Sequence, residues 1–186
     1  IDTGTGSLNS TGPWNPHPEN WNLESRQQLI KSLKESAPAA EDNQVYLSLE
    51  GHQLVVLENE QVTKEILDAV GSPWVRSDLD PANWITLKTI FRTDEAIHQM
   101  FDVLSEHIVS GHAKDITITN AHTLHLPTTS VGKGMLDFKT YLRGMEDLNP
   151  DYPLIVEGSS EAELPEASTF LHRTAQELGI DIIVKD

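Results

Sequence analysis

Short apolar runs rich in β-branched residues recur along the chain, and a polar loop follows each of them. Runs of this length bounded by turn-forming residues are typical of buried β-strands. The pattern predicts five strands, at the residues before Gly4 and at 45–50, 74–80, 107–115 and 153–157.

Stretches with the spacing of an amphipathic helix lie between these strands, because apolar side chains recur there on one face. The faces are Leu23, Ile30 and Leu33; Val62, Ile66 and Val70; Ile97, Phe101 and Leu104; Phe138, Tyr141, Leu142 and Met145; and Phe170, Leu171, Ala175 and Leu178. Pro38, Gly71 and Gly179 lie where helices should stop, and Thr93 with Asp94 offers an N-cap.

The alternation of strand and helix predicts an α/β fold with a parallel sheet, because parallel strands need a long crossover, usually a helix. Five such units in 186 residues are fewer than the eight of a (β/α)8 TIM barrel. We therefore expect a single domain, residues 1–186, that corresponds to about the last five units of such a barrel. An open doubly wound sheet is the competing architecture, but no G-x-G-x-x-G motif follows a strand.

The first residues, "IDTGTGS", are typical of the end of a strand, so we expect a further segment upstream. Without that segment the outer strands would leave open sheet edges. We expect the missing segment, a second copy of the chain or another partner to cover them.

The amino-acid composition limits the reactions and partners that can be expected of the chain. A 38% hydrophobic content suits a soluble globular protein, and the lack of cysteine excludes disulfides, thiolate metal sites and cysteine nucleophiles. The 29 acidic and 13 basic residues give a net charge of -16, which predicts against binding to nucleic acid or an anionic membrane. There is no apolar run near the roughly 18 residues of a membrane span and no signal peptide, so the expected location is the cytoplasm.

Metal-competent side chains end four consecutive predicted strands: Glu50, Asp80, His112 and Glu157. In a parallel barrel the C-terminal ends of all strands lie on one face, so we expect the four to converge. Three carboxylates and an imidazole suit Mn²⁺, Mg²⁺ or Co²⁺, with Zn²⁺ as a further candidate. Taken alone, each carboxylate is more typical of a solvated loop or a helix N-cap, and His112 of a hydrogen-bonded histidine at the rim. Asp78 is a rival to Asp80 on the same strand face.

Four motifs occur in order, "LDPANW", "SGHAKD", "GKGMLDF" and "YPLIVEG". They resemble the sugar phosphate isomerase/epimerase family, the xylose-isomerase-like TIM barrels that include D-tagatose 3-epimerase and hydroxypyruvate isomerase. The resemblance runs from Thr3 to about Gly179. It implies an enzyme of carbohydrate metabolism, with a divalent cation held by Glu50, Asp80, His112 and Glu157.

Two positions depart from the epimerases of that family. A substrate-contacting histidine follows the metal aspartate by three residues in those enzymes, and the same position here is Asn83. Their arginine a few residues after the metal histidine is absent, and Lys114 offers a cation instead. Asn83 and Lys114 are therefore expected to contact the substrate, while D-tagatose-like specificity is not expected.

The implied mechanism is proton transfer through a metal-stabilised enediolate. Glu50 and Glu157 would exchange a proton on the two faces of an α-hydroxyketone, which gives epimerisation, or return it to the neighbouring carbon, which gives isomerisation. Two alternatives stay open. One is a metal-dependent dehydratase of a keto-inositol, and the other is a non-catalytic binding module derived from a barrel.

Further polar residues are candidates for the substrate site. His17 lies in the loop after the first strand, His52 follows Glu50 by two residues, and His125 lies in a long loop that resembles a lid or pocket wall. Asp115 is expected either to orient His112 or to pair with Lys114.

Overall fold

A computed structural model describes residues 1–119 and 122–183. The backbone clusters into two compact units, one made of Ile1–Trp84 with Val103–Ser110 and the other of Ile85–Asp102 with Gly111–Asp186. Among the described residues no helix has the length and apolar character needed to cross a membrane.

The first unit contains three parallel strands and two long helices. The strands are β1 (Asp2–Gly4), β2 (Leu47–Glu50) and β3 (Val75–Leu79), and the helices are α1 (Leu23–Asn43) and α2 (Glu60–Val70). In this register Gly4 lies opposite Glu50, and Glu50 lies opposite Asp78. Short 3-10 helices at Pro18–Trp21 and Pro81–Trp84 follow β1 and β3.

The second unit contains a parallel strand pair, a small antiparallel pair and three helices. The strands of the unit are β4 (Ile108–Ala113), β5 (Asp115–Ile116), β6 (Thr128–Thr129) and β7 (Leu154–Val156). The helices are α3 (Thr93–Leu104), α4 (Phe138–Leu148) and α5 (Leu164–Leu178). Strand β7 pairs in parallel with β4, while β5 pairs with β6 in antiparallel. Strand β4 has residues in each unit, and the five-stranded sheet runs in the order β1-β2-β3-β4-β7.

The core of the first unit forms where α1 and α2 cover its strands. Leu33 of α1, Ile66 of α2 and Leu49 of β2 are at most 5% exposed and belong to one buried cluster. Full burial of one such side chain contributes about 1.5–3 kcal/mol. The apolar spacing of the two helices therefore packs them against the sheet and leaves its strand ends to carry polar residues.

The prediction of a parallel α/β sheet with five strands is confirmed, and so are two of the predicted helix ends. Gly71 and Gly179 adopt left-handed backbone angles, with φ of 73° and 70°, directly after α2 and α5. The four strands with predicted bounds are all shorter than predicted. The largest difference is at β4, which ends at Ala113, while Asp115 already belongs to the antiparallel pair.

The expectation that Pro38 ends a helix is wrong. Pro38 lies inside α1, which continues to Asn43 and ends at Gln44 with a left-handed φ of 53°. Proline removes one backbone N–H from a helix interior. Lys34, whose carbonyl would accept that bond, is exposed, so water can replace the lost donor while neighbouring Ala37 stays packed in the core.

Candidate metal centre

Glu50 is the last residue of β2, and its side chain is buried. The apolar residue before it, Leu49, anchors the strand in the core, so the strand's alternation directs Glu50 away from that cluster. Its carboxylate accepts a hydrogen bond from the side-chain amide of Asn83, with 2.8 Å between Nδ2 and Oε1.

Asp80 follows β3 directly and begins the turn into the 3-10 helix Pro81–Trp84. Its Oδ1 accepts from the Ala82 N–H at 3.1 Å, which is the turn-forming bond expected of an Asp-Pro sequence. The side chain is only 2% exposed, so a carboxylate used in this turn is also held out of solvent.

Asp78, the rival to Asp80, contacts different groups. It accepts a short hydrogen bond from the Ser110 hydroxyl, and the Ser110 and Ser48 hydroxyl oxygens lie 2.9 Å apart. Asp78 is thus part of a buried hydroxyl network within the sheet, two residues before Asp80.

In the second unit, Glu157 after β7 contacts both His112 of β4 and Lys114. Glu157 Oε2 lies 3.2 Å from His112 Nδ1 and 2.8 Å from Lys114 Nζ. The hydrogen bond from His112 and the nearby Lys114 ammonium lower the pKa of Glu157 to about 2, against the opposing effect of burial. Glu157 is therefore an ionised carboxylate at neutral pH, and its side chain is 44% exposed.

The structure brings the four strand-end residues together. Glu50, Asp80, His112 and Glu157 each offer one ligand atom, and these atoms all lie within 4.8 Å of one another. Asp78 is not a member of this group. The strand-end pattern predicted this convergence, although the assignment of the four as metal ligands stays a prediction.

The donor chemistry of the four residues fits a divalent cation. Three carboxylates in such a small volume repel one another, and Glu50 and Asp80 are both below 10% exposed, where water screens that repulsion poorly. A 2+ ion would offset the repulsion through oxygen and imidazole ligands of the kind that Mg²⁺, Mn²⁺, Co²⁺ and Zn²⁺ accept. The set contains no thiolate, as the cysteine-free sequence requires.

Two of the predicted substrate residues, His17 and His52, lie in loops after β1 and β2. His17 Nδ1 accepts from the Glu19 N–H at 3.3 Å and caps the 3-10 helix Pro18–Trp21. His52 Nδ1 accepts from the Leu54 N–H at 3.1 Å, and its ring lies edge-on to Trp14 with centroids 6.3 Å apart. Both histidines thus have local structural roles, and their contact with a substrate stays a prediction.

The other predicted substrate residues divide by burial. Asn83 and Lys114 are each 8% exposed, and their side chains contact Glu50 and Glu157 respectively. His125 is exposed in the segment between β5 and β6, where its carbonyl accepts from the Thr119 N–H. We expected that segment to be a long loop without regular structure, but at its base β5 and β6 form an antiparallel pair. Asn120 and Ala121 within the segment lie outside the described residues.

Asp115 has a role that the sequence analysis missed. Its carboxylate accepts from four backbone N–H groups, those of Ile116, Gly132, Gly134 and Leu136, at 2.8 to 3.1 Å. A Cβ atom on Gly134 would lie 2.2 Å from Asp115 Oδ1, so only glycine lets this backbone approach the carboxylate. The "GKG" motif and the aspartate of "SGHAKD" therefore form one structural unit, a link that their sequence separation concealed.

Comparison with known proteins supports the fold independently. The model of the xylose isomerase-like TIM barrel family matches residues 2–183. No curated protein matches the chain. Three similar solved structures are a xylose isomerase-like TIM barrel protein from Mycobacterium smegmatis in complex with magnesium, a D-tagatose 3-epimerase-like protein, and the probable 3-DHS dehydratase AsbF involved in petrobactin synthesis from Bacillus anthracis.

The three similarities extend over most of this chain. TM-scores are 0.72, 0.69 and 0.63, at 15%, 15% and 17% identity, and the alignments cover 95%, 96% and 82% of this chain. They cover 60%, 62% and 58% of the other chains, so this chain spans about three-fifths of their length. At this level of identity the similarities demonstrate the fold alone.

Proposed function

Because the chain belongs to the xylose isomerase-like TIM barrel family, we propose that it is a divalent-metal-dependent isomerase or epimerase of a sugar or sugar phosphate. The observation that carries the proposal is the group formed by Glu50, Asp80, His112 and Glu157, whose ligand atoms lie within 4.8 Å of one another. All four are proposed as ligands of Mn²⁺, Mg²⁺, Co²⁺ or Zn²⁺.

The cation would polarise the carbonyl and the adjacent hydroxyl of an α-hydroxyketone and so make the neighbouring C–H acidic. The carboxylates of this chain would then move the proton. Glu157 is ionised at neutral pH because His112 and Lys114 lower its pKa to about 2, so it is in the form that accepts a proton. A positioned acid–base group of this kind contributes about 10²- to 10⁴-fold to the rate.

Glu50 and Glu157 are proposed to act as a pair. Removal of the proton by one carboxylate and delivery by the other to the opposite face of the same carbon inverts that carbon, which is epimerisation. Delivery of the proton to the neighbouring carbon converts a ketose to an aldose. Both outcomes need the same two glutamates, so the position of the substrate would decide between them.

A dehydratase is the second candidate, and the Lys114 side chain favours it. Its ammonium lies 2.8 Å from Glu157 Oε2 and is buried, so an acid lies beside the proposed base. After Glu157 removes the carbon-bound proton, Lys114 would protonate the hydroxyl that leaves from the adjacent carbon, and the products are an unsaturated ketone and water. The similarity to a probable dehydratase is consistent with this route.

The test combines metal uptake with hydrogen exchange. Apo-protein is titrated with Mn²⁺ in a thermal-shift assay and then incubated in D2O with ketoses, ketose phosphates and keto-inositols, while NMR follows the C–H signals and mass spectrometry follows the products. Exchange without loss of water supports the isomerase or epimerase, and loss of 18 mass units supports the dehydratase. Metal uptake without either reaction supports a binding module, and no uptake refutes the metal site.

Substitution of the proposed base makes the test specific. Glu157→Gln removes the proton acceptor but keeps the shape of the side chain, so exchange should fall by at least about 10²-fold. The apo-protein should still fold, with a lower unfolding temperature because buried Lys114 loses its ion pair with Glu157. Glu161→Gln changes an exposed glutamate four residues further on and should leave exchange unchanged. Retention of more than a few per cent of the wild-type exchange by Glu157→Gln would refute the assignment.

A further inference from the structure

The Asn83 side chain lies against Glu50, and both residues are below 10% exposed. Asn83 Nδ2 donates to Glu50 Oε1 at 2.8 Å and to the Gly51 carbonyl at 3.1 Å. Only the NH2 end of an amide can serve two acceptors, so these contacts fix the orientation of the amide group. Both hydrogens of Nδ2 are directed at the end of β2.

The backbone of Asn83 is held as firmly as its side chain. Within the 3-10 helix its N–H donates to the Asp80 carbonyl at 3.2 Å. Its own carbonyl accepts from the Gln53 N–H at 3.4 Å and from Gln53 Nε2 at 3.2 Å. The next residue, Trp84, donates from its indole to the Leu57 carbonyl at 3.1 Å. Asn83 therefore joins the turn after Asp80 to the segment after Glu50.

We propose that Asn83 is a positioning residue that holds the Glu50 carboxylate in one orientation for metal binding and proton transfer. Glutamate has three rotatable side-chain bonds, and an unrestrained carboxylate would lose that freedom only on binding a cation. A charge-assisted hydrogen bond from a fixed amide imposes the restriction in advance. The inference rests on the proposed function, because it assigns a use to the orientation of Glu50.

This role differs from the substrate contact expected at position 83. The two Nδ2 hydrogens that would donate to a substrate hydroxyl are directed instead at Glu50 and Gly51. Asn83 thus acts through Glu50, and loss of its amide should weaken metal binding as well as turnover, while the apparent affinity for substrate changes little.

Mn²⁺ affinity, measured by calorimetry on the apo-protein, tests this inference without relying on activity. Asn83→Leu keeps the side-chain volume but removes both donors. Loss of a hydrogen bond to a charged group corresponds to an increase of about 10- to 100-fold in the Mn²⁺ Kd. In any exchange assay kcat should fall by a similar factor, with KM within about 3-fold of wild type.

The matched control is Asn20→Leu. Asn20 is also buried, and its Nδ2 also donates two hydrogen bonds, to the Ser7 hydroxyl and the Leu54 carbonyl, but neither partner belongs to the proposed metal group. Asn20→Leu should change the Mn²⁺ Kd by less than about 3-fold. Equal effects of the two substitutions, or an unchanged Kd in Asn83→Leu, would overturn the proposal.

A double-mutant cycle with Glu50→Met decides whether Asn83 acts through Glu50. Methionine removes the acceptor, so adding Asn83→Leu to Glu50→Met should change the Mn²⁺ Kd by less than about 3-fold. In the wild-type background the same substitution should raise the Kd by about 10- to 100-fold. Additive effects would mean that Asn83 contributes only to general stability, and would overturn the proposal.

The proposed function can fail separately. If wild type binds no Mn²⁺, the metal-dependent function is refuted, and the cycle is then measured as shifts in the urea midpoint of the metal-free proteins. Asn83→Leu should lower the midpoint more when Glu50 is present than when it is methionine, because only then does the substitution remove a hydrogen-bond donor from a buried carboxylate. Equal shifts would overturn the positioning role.

Discussion

The Asp115 carboxylate provides the sharpest test of how the segment after β6 is held. One side chain accepts from the N–H groups of Ile116 and Leu136 through Oδ1 and of Gly132 and Gly134 through Oδ2. Asp115→Ala removes all four acceptor contacts together. Asp115→Asn keeps the side-chain volume but places an NH2 group opposite backbone N–H donors, which cannot bond to it.

The expected cost follows from which amides water can reach. Gly132 is exposed and Gly134 is partly exposed, so water can replace their bonds to Asp115. The amides of Ile116 and Leu136 belong to buried residues, and each unsatisfied buried donor costs about 1–3 kcal/mol. Removal of a buried charge offsets part of the resulting 2–6 kcal/mol. We therefore expect Asp115→Ala to lower the free energy of unfolding by about 3 kcal/mol.

Urea unfolding and amide hydrogen exchange measure this effect. For a typical slope near 2 kcal/mol per molar urea, a 3 kcal/mol loss shifts the midpoint by about 1.5 M. Exchange should accelerate most at the amides of Ile116 and Leu136. Asp137→Ala serves as the control, since Asp137 caps α4 through a single bond to the Thr140 N–H and its loss should cost about 1 kcal/mol. The reasoning is refuted if Asp115→Ala and Asp115→Asn both unfold within about 1 kcal/mol of wild type.

Three further tests concern the pH dependence of stability, the packing of Gly134 and the proline in α1. Burial lowers the pKa of His107, so on acidification the unfolded chain binds a proton at a higher pH than the folded protein does. The free energy of unfolding should therefore fall as the pH drops below about 6.5. In His107→Gln, the urea midpoints at pH 5.5 and 7.5 should differ less than they do in wild type. Gly134→Ala should lower the free energy of unfolding, measured in urea, by about 3 kcal/mol because its Cβ would overlap Asp115. Gly6→Ala is the control: its φ is 76° but no atom lies within 4 Å of its Cβ, so the loss should be only about 1 kcal/mol. Equal losses would contradict the close approach at Gly134. Pro38→Ala should stabilise α1 by about 2 kcal/mol, and a lower urea midpoint would contradict the account of that helix.

Sequence reasoning succeeded where a residue's position depends on a regular repeat. Each strand is a short apolar run, and a parallel sheet brings the C-terminal ends of its strands to one edge. Glu50, Asp80, His112 and Glu157 could therefore be grouped without knowledge of any loop conformation. Their ligand atoms are found within 4.8 Å of one another, and the rival Asp78 belongs to a hydroxyl network instead.

Residues whose role depends on a particular partner were not predictable in the same way. The position of Asn83 relative to Asp80 indicated a polar side chain near the site, but nothing in the sequence shows that its two Nδ2 hydrogens meet Glu50 and Gly51. Asp115 lies next to Lys114, yet three of its four partners are amides about twenty residues away, and at Gly134 only glycine allows the approach. Hydrophobic periodicity predicts which strand end carries a carboxylate, whereas the backbone geometry of the loops determines which groups that carboxylate contacts. Substitutions at Asn83 and Asp115 therefore test parts of the structure that periodicity leaves undetermined.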